Sequence, residues 1–242
     1  NHYAWKFDGN TFDIRAETSR DADTLDNRLQ NSGFAHRMGG DYTVGGVRPD
    51  FRSIHQAAEM LAGAGVCADA RFLLRPGDHI APKFQEAPGL APGQLIRFEP
   101  DGPGMQRGEI REVELRGLSQ VEFRRLHFNH GAQQALTQYL TFDDCTFTGY
   151  WNDYSPGDGP VSFRNCRFQG NSVHLRGDEF SARDHDLLLE NCAFGADTDE
   201  PSANTGDLFL TSTDNVTIRR CRFGRTARAG MSDLGGLIRV EQ

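Results

Sequence analysis

The segment Val161-Ser162-Phe163-Arg164-Asn165-Cys166-Arg167-Phe168 is one copy of an eight-residue pattern that decides the fold. Position one is Val or Leu, position three is apolar, position six is Leu or Cys, and position eight is Phe. The copies are VEFRRLHF (121–128), LTFDDCTF (140–147), VSFRNCRF (161–168), LLLENCAF (187–194) and VTIRRCRF (216–223). Each copy predicts a short strand with alternating faces, a polar corner and a second short strand.

The recurrence of this pattern predicts a stack of similar coils. One unit of roughly 20 to 30 residues cannot bury its own apolar row, whereas stacked units can, because each Phe then lies on the Phe of the next coil. Asn165 and Asn191 stand at the corner, position five, where Asn tolerates unusual backbone angles. We therefore predict an all-β solenoid of about seven coils.

The Asn-Cys-Arg-Phe and Asn-Cys-Ala-Phe corners resemble those of the right-handed parallel β-helix of the pectate-lyase-like superfamily. A second block, residues 41–79, is similar to the opening of β-helix domains in large secreted bacterial surface proteins. It includes the segments DYTVGG (41–46), PDF (49–51), GVC (65–67) and RFLLRPGDH (71–79). The resemblance covers roughly residues 41–242. It implies a right-handed parallel β-helix solenoid with an N-terminal capping α-helix, in a secreted or cell-surface protein.

The chain divides into two parts. Residues 1–40 do not join the repeat, and we expect them to be an N-terminal segment that ends a preceding module. Within it, residues 3–7 and 11–14 predict a hairpin, and residues 17–33 predict a surface helix or a linker. Residues 41–242 form the β-helix, with the capping helix at about 50–63 and Asp50 as its N-cap.

Charge and hydropathy exclude some partners. The net charge is −8, which argues against a nucleic-acid partner. The chain contains no apolar run of about 18 residues, so we predict no membrane span. Four of the five Cys residues occupy position six, which favours a buried row of free thiols; oxidation of two stacked thiols is the alternative.

Candidate ligand-binding residues lie between the copies of the repeat. Residues 149–159 predict an exposed loop, in which aromatic and polar side chains suit stacking on sugar rings and bonding to hydroxyls. We therefore predict glycan binding there; packing of the aromatic residues on the solenoid is the alternative. The predicted glycan-binding residues are Tyr150, Trp151, Asp153 and Tyr154.

Catalytic and metal-binding residues are less clearly marked. In pectate lyases, carboxylates hold calcium and an Arg or Lys removes a proton beside the uronate. The resemblance implies that a lyase would use Asp143 and Asp144 with Arg176 or Arg183, although no such family motif is matched residue for residue. At Asp143 and Asp144, turn residues are the alternative. We predict no cofactor, with calcium as the alternative. Its candidate ligands are Asp197, Asp199 and Glu200, for which a solvated acidic turn is the other interpretation.

These features favour a non-catalytic module for adhesion, surface structure or glycan contact. Its partners would be polysaccharides or other cell-surface components. One alternative is a polysaccharide lyase or glycoside hydrolase that acts on acidic glycans. Another is a self-assembling filament or surface-layer subunit, which would associate through its coil ends.

Overall fold

The protein is a right-handed parallel β-helix solenoid preceded by a small antiparallel sheet. The computed structural model describes residues 2–7, 11–17, 28–32, 37–80, 83–84, 87, 89–102, 109–116, 119–135, 138–148, 151–155, 160–169, 173–176, 186–195, 208–211, 215–224, 229–232 and 238–241.

The antiparallel sheet lies within residues 1–40. Its strands are His2–Phe7, Thr11–Glu17 and Arg28–Ser32. The first two strands pair as a hairpin, as predicted, and Arg28–Ser32 pairs with Thr11–Glu17. The expectation of a helix or linker over residues 17–33 is therefore wrong for 28–32, where pairing with an existing strand outweighs the polar composition.

The first sheet of the solenoid contains one strand from each of nine coils, in chain order and all parallel. We number the coils 1 to 9 by these strands. They are Met38–Val44, Val66–Leu74, Ile96–Pro100, Ser119–Arg124, Gln138–Asp143, Val161–Arg164, Leu187–Glu190, Val216–Arg219 and Ile238–Glu241. The first strand begins at Met38, three residues before the predicted boundary.

The second sheet holds the strands that follow the corner of each coil. Coil 2 contributes Asp78–Ile80 and Lys83–Phe84, and coils 3 and 4 contribute the long strands Glu109–Arg116 and His127–Ala135. From coil 5 onward the sheet divides into two arms. The near arm, directly after the corner, contains Thr146–Phe147, Arg167–Phe168, Ala193–Phe194 and Arg222–Phe223. The far arm contains Trp151–Ser155, Val173–Arg176, Leu208–Thr211 and Ala229–Ser232.

In the described chain, coils 2 to 8 contribute strands to both sheets, and coils 1 and 9 contribute to the first sheet. Side chains at positions one, three, six and eight are buried in the first four copies of the repeat. Phe residues at positions three and eight form two rows, and the rings of Phe142 and Phe163 stack with centroids 4.9 Å apart. The core is therefore a continuous apolar column between the sheets.

The corner at position five is left-handed in every copy. Its φ angle lies between 51° and 55° at Arg125, Asp144, Asn165, Asn191 and Arg220. The thiols that follow are free and donate hydrogen bonds to the position-three carbonyl one coil earlier, as from Cys166 Sγ to Phe142 O at 3.4 Å. The prediction of unpaired thiols is confirmed, and each thiol also satisfies a backbone acceptor.

The helix Ile54–Ala64 packs against Met38–Val44 and against the edge strands Asp78–Ile80 and Lys83–Phe84. Its N-cap is Ser53, whose Oγ accepts from the backbone N–H of Gln56. The prediction of Asp50 as N-cap is wrong, because the Asp50 carboxylate instead accepts from the N–H and hydroxyl of Thr43 at 2.7 and 2.8 Å. No helix in the described ranges is long and apolar enough to cross a membrane.

Candidate functional site

The outer face of the near arm carries three columns of mostly polar side chains, at repeat positions five, seven and nine. Position nine follows the buried Phe and lies on the same side as position seven. We call these columns the corner groove. From coil 4 to coil 8 they hold Arg125, His127 and Asn129; Asp144, Thr146 and Thr148; Asn165, Arg167 and Gln169; Asn191, Ala193 and Gly195; and Arg220, Arg222 and Gly224.

In coils 4 and 5 the corner groove contains a chain of hydrogen bonds. His127 Nε2 lies 2.9 Å from the hydroxyl of Thr148, and that hydroxyl lies 3.2 Å from Asn129 Oδ1. Asn129 in turn donates from Nδ2 to Oε1 of Glu109 in coil 3, at 2.7 Å. These side chains are half-buried and hold one another in place.

The carboxylate of Glu109 ends this series of hydrogen bonds. It accepts from Asn129 and also from Arg111 Nε, at 3.0 Å. These two hydrogen bonds to the ionised form, with Asn129 the larger contributor, lower the pKa of Glu109. Glu109 is thus held as a carboxylate, which suits positioning of its neighbours better than proton donation.

In coils 5 to 8 the corner groove opens into a cavity of about 560 Å³. Ala193 and Gly195 are among its lining residues, and they are smaller than Arg167 and Gln169 at the same positions one coil earlier. The cavity is lined mainly by guanidinium and amide groups, including those of Arg167, Arg220 and Arg222. A concave surface with such donors can bind acceptor groups of a ligand.

A row of amides runs along one side of this cavity. Asn191 donates from Nδ2 to Oδ1 of Asn165, which donates to Oδ1 of Asp143 at 2.8 Å. Arg220 Nε donates to Oδ1 of Asn191 at 2.9 Å. These amides are therefore engaged with one another, and Arg167, which is exposed, forms no ion pair with any residue in the described ranges.

The residues predicted for a lyase are only partly brought together. Asp143 lies on the outer face of the first sheet, paired with Arg124 at 3.2 Å, and Asp144 lies at the corner beside the cavity. Arg176 ends the far-arm strand Val173–Arg176, so the near arm separates it from both acids along the coil. Arg183 lies outside the described residues.

The predicted glycan-binding loop contains a strand. Trp151, Asp153 and Tyr154 belong to Trp151–Ser155, whose residues pair with the strand His127–Ala135 and with Val173–Arg176. The expectation of a loop is thus wrong for residues 151–155, because these residues extend the row of the far arm. Tyr150 lies outside the described residues.

The predicted calcium ligands Asp197, Asp199 and Glu200 also lie outside the described residues. Within the described ranges, no three His, Cys, Asp or Glu side chains are grouped so as to hold a metal ion.

Sequence reasoning missed Arg167, Arg222 and the Asn129–Glu109 pair. A signal was present, since position seven follows the buried Cys and must point outward. Reading that position down the five copies gives His127, Thr146, Arg167, Ala193 and Arg222.

The fold and the corner groove define a parallel β-helix solenoid with a polar groove across its coils. Comparisons of the chain with protein-family models, with curated proteins and with solved structures find no match.

Proposed function

We propose that this chain is a non-catalytic module of a secreted or cell-surface bacterial protein, akin to pectate-lyase-like domains, and that it contacts glycans. The corner groove is the observation that carries the proposal. It crosses successive coils at the strand spacing of about 4.8 Å and presents amide, hydroxyl and guanidinium groups in columns. A surface that repeats along one direction suits a polymer with repeated hydroxyl groups.

The environment of the acids supports a non-catalytic role. A general acid or base must lie within hydrogen-bond reach of the proton that it transfers. Asp143 is instead engaged by Arg124 and Asn165, and Glu109 is engaged by Asn129 and Arg111. These carboxylates serve as structural acceptors.

Retention of the purified chain on immobilised plant and bacterial polysaccharides tests this proposal. We expect retention that is weakened by Gln169→Ala, which removes an exposed amide from the corner groove, and not by Gln56→Ala on the capping helix. Loss of retention with Trp151→Ala but not with Gln169→Ala would indicate that the polysaccharide contacts the far arm rather than the corner groove. No retention on any polysaccharide would overturn the proposal.

The same incubation tests the lyase alternative. Formation of unsaturated sugar ends that depends on calcium, and that is lost with Asp144→Asn and with Arg176→Ala or Arg183→Ala, would make the chain a lyase. An unchanged polysaccharide supports the non-catalytic role.

A further inference from the structure

We propose that the Cys residues at repeat position six bind copper(I), with the ion held between the sulfur atoms of Cys166 and Cys192. We call these residues the thiol row and define it by Cys145, Cys166, Cys192 and Cys221. The proposed site lies in the core of the solenoid and does not depend on the glycan contact of the corner groove.

The backbone aligns the thiol row from coil to coil. The carbonyl groups of Cys145, Cys166 and Cys192 each accept a hydrogen bond from the N–H of the position-seven residue in the next coil, at 2.9, 2.9 and 2.8 Å. Neighbouring members of the row are therefore separated by the strand spacing of about 4.8 Å. The row brings metal-ligating side chains from successive coils into one line.

The two central thiols also have the same surroundings. Cys166 Sγ donates to Phe142 O, and Cys192 Sγ donates to Phe163 O, both at 3.4 Å. Each sulfur also contacts the position-four carbonyl of its own coil, at 3.2 and 3.4 Å. Because these contacts repeat, the spacing of the two sulfur atoms follows the spacing of the coils, and the two thiols interact directly with each other.

This spacing matches a cation that takes two sulfur ligands in line. Metal–thiolate bonds are roughly 2.3 Å long, so two opposed bonds span about 4.6 Å. Copper(I) accepts two opposed ligands, and soft thiolates select it over harder cations. Zinc in closed protein sites takes four tetrahedral ligands, whereas no three suitable side chains are grouped in the described part of the chain. The thiol row therefore favours copper(I).

The cavity of the corner groove singles out the central pair. Cys166 and Cys192 line this cavity, whereas Cys145 and Cys221 are not among the described residues that line it. The side chains of Cys166 and Cys192 are 0% and 1% exposed, so a cation bound between them is shielded from water. A small opening of the cavity wall brings the ion to this pair.

Binding exchanges two protons for one cation. Both S–H bonds break, two copper–sulfur bonds form, the protons pass to water, and no atom changes its oxidation state. Burial raises the pKa of the Cys166 thiol, but the charge of a coordinated metal ion deprotonates a thiol outright. The two carbonyl acceptors lose only weak S–H donors. Arg167 follows Cys166 and lines the same cavity, where its charge offsets the single negative charge of the complex.

Two double variants test the pair, both made in a Cys67→Ser chain so that the exposed thiol does not contribute. Cys145→Ser with Cys221→Ser keeps the central pair. Cys166→Ser with Cys192→Ser removes the same number of thiols and leaves no two neighbours in the row. We expect the first variant to bind one copper(I) ion and the second to lose affinity by about 100-fold or more, since even outer-shell partners of metal ligands contribute about 10–100-fold.

Competition with a chromophoric copper(I) chelator, in the absence of oxygen, measures both affinities. Equal affinities of the two double variants would overturn the proposal, and far-UV circular dichroism establishes that each variant is folded. The Cys67→Ser chain provides a test that needs no change in the row. Its copper(I) complex should show two sulfur ligands by X-ray absorption, and zinc should not displace the ion. Absence of copper(I) binding, or coordination by nitrogen or oxygen, would refute the site.

Discussion

Asn191 donates a hydrogen bond from its side-chain Nδ2 to Oδ1 of Asn165 in the preceding coil, at 3.2 Å. Both residues stand at left-handed corners, with φ angles of 53° and 55°. Asn therefore serves twice in this fold, because it adopts the left-handed conformation at low cost and its amide links one corner to the next.

Substitution of Asn165 separates these two roles. Asn165→Gly keeps the left-handed conformation and loses the amide bonds, whereas Asn165→Ala loses both. We expect Asn165→Ala to lower the free energy of unfolding by about 2–3 kcal/mol, and Asn165→Gly by about 1 kcal/mol less. Urea unfolding followed by tryptophan fluorescence measures both values. Equal losses of unfolding free energy in the two variants would show that the left-handed backbone preference of Asn165 contributes nothing beyond its amide hydrogen bonds.

The aromatic rows predict a difference between Phe163 in coil 6 and Phe223 in coil 8. Phe163 is fully buried and stacks on Phe142, whereas Phe223 is 42% exposed and, among the described residues, stacks on Phe194 alone. We expect Phe163→Ala to cost about 3–5 kcal/mol, because it leaves a cavity in the core, and Phe223→Ala to cost clearly less. Urea unfolding of both variants tests this. Similar losses of unfolding free energy in the two variants would mean that burial within the aromatic rows does not determine the stability of the solenoid.

The thiols should differ sharply in reactivity. Cys67 is exposed, whereas Cys145, Cys166 and Cys192 are buried, and burial raises the pKa of the Cys166 thiol. Because the thiolate is the reactive form, iodoacetamide should modify Cys67 first and the buried thiols only after unfolding. Mass spectrometry of the native and the urea-unfolded chain counts the modified sites. Cys67→Ser is the control, and rapid native labelling of a buried thiol would refute the packing of this row.

Most of the solenoid was predictable because its local and long-range signals agree. The apolar spacing of the eight-residue pattern places Val161 and Phe163 inside, and the same spacing in the next copy supplies their neighbours. Asn at the corner reinforces the bend. The expected fold followed from this agreement between propensity, pattern and packing.

The errors fall where a local signal competes with a tertiary contact. Asp50 has the chemistry of an N-cap, but Thr43 of the first strand offers it two donors and the helix begins after Ser53. Trp151 to Ser155 look like an exposed loop until the row of far-arm strands is known. The cavity of the corner groove depends on the register of several coils, which one copy of the repeat does not show.

The last prediction concerns the pH dependence of stability at Glu109. Hydrogen bonds from Asn129 and Arg111 lower the pKa of Glu109 in the folded chain. A group with a lowered pKa stabilises the fold above its unfolded pKa, and this contribution is lost as the pH falls through the folded pKa. Glu109→Gln should therefore lower the unfolding midpoint most at about pH 7, and the difference from the unaltered chain should shrink towards about pH 3.

Removal of one donor provides the control. Asn129→Ala keeps the carboxylate but removes its larger stabilising hydrogen bond, so it should retain only part of this pH dependence. Chemical unfolding of the three chains across this pH range measures the effect. If Glu109→Gln lowered the midpoint equally at both ends of the range, the carboxylate would contribute through its shape and packing, and the hydrogen bonds would not favour its charge.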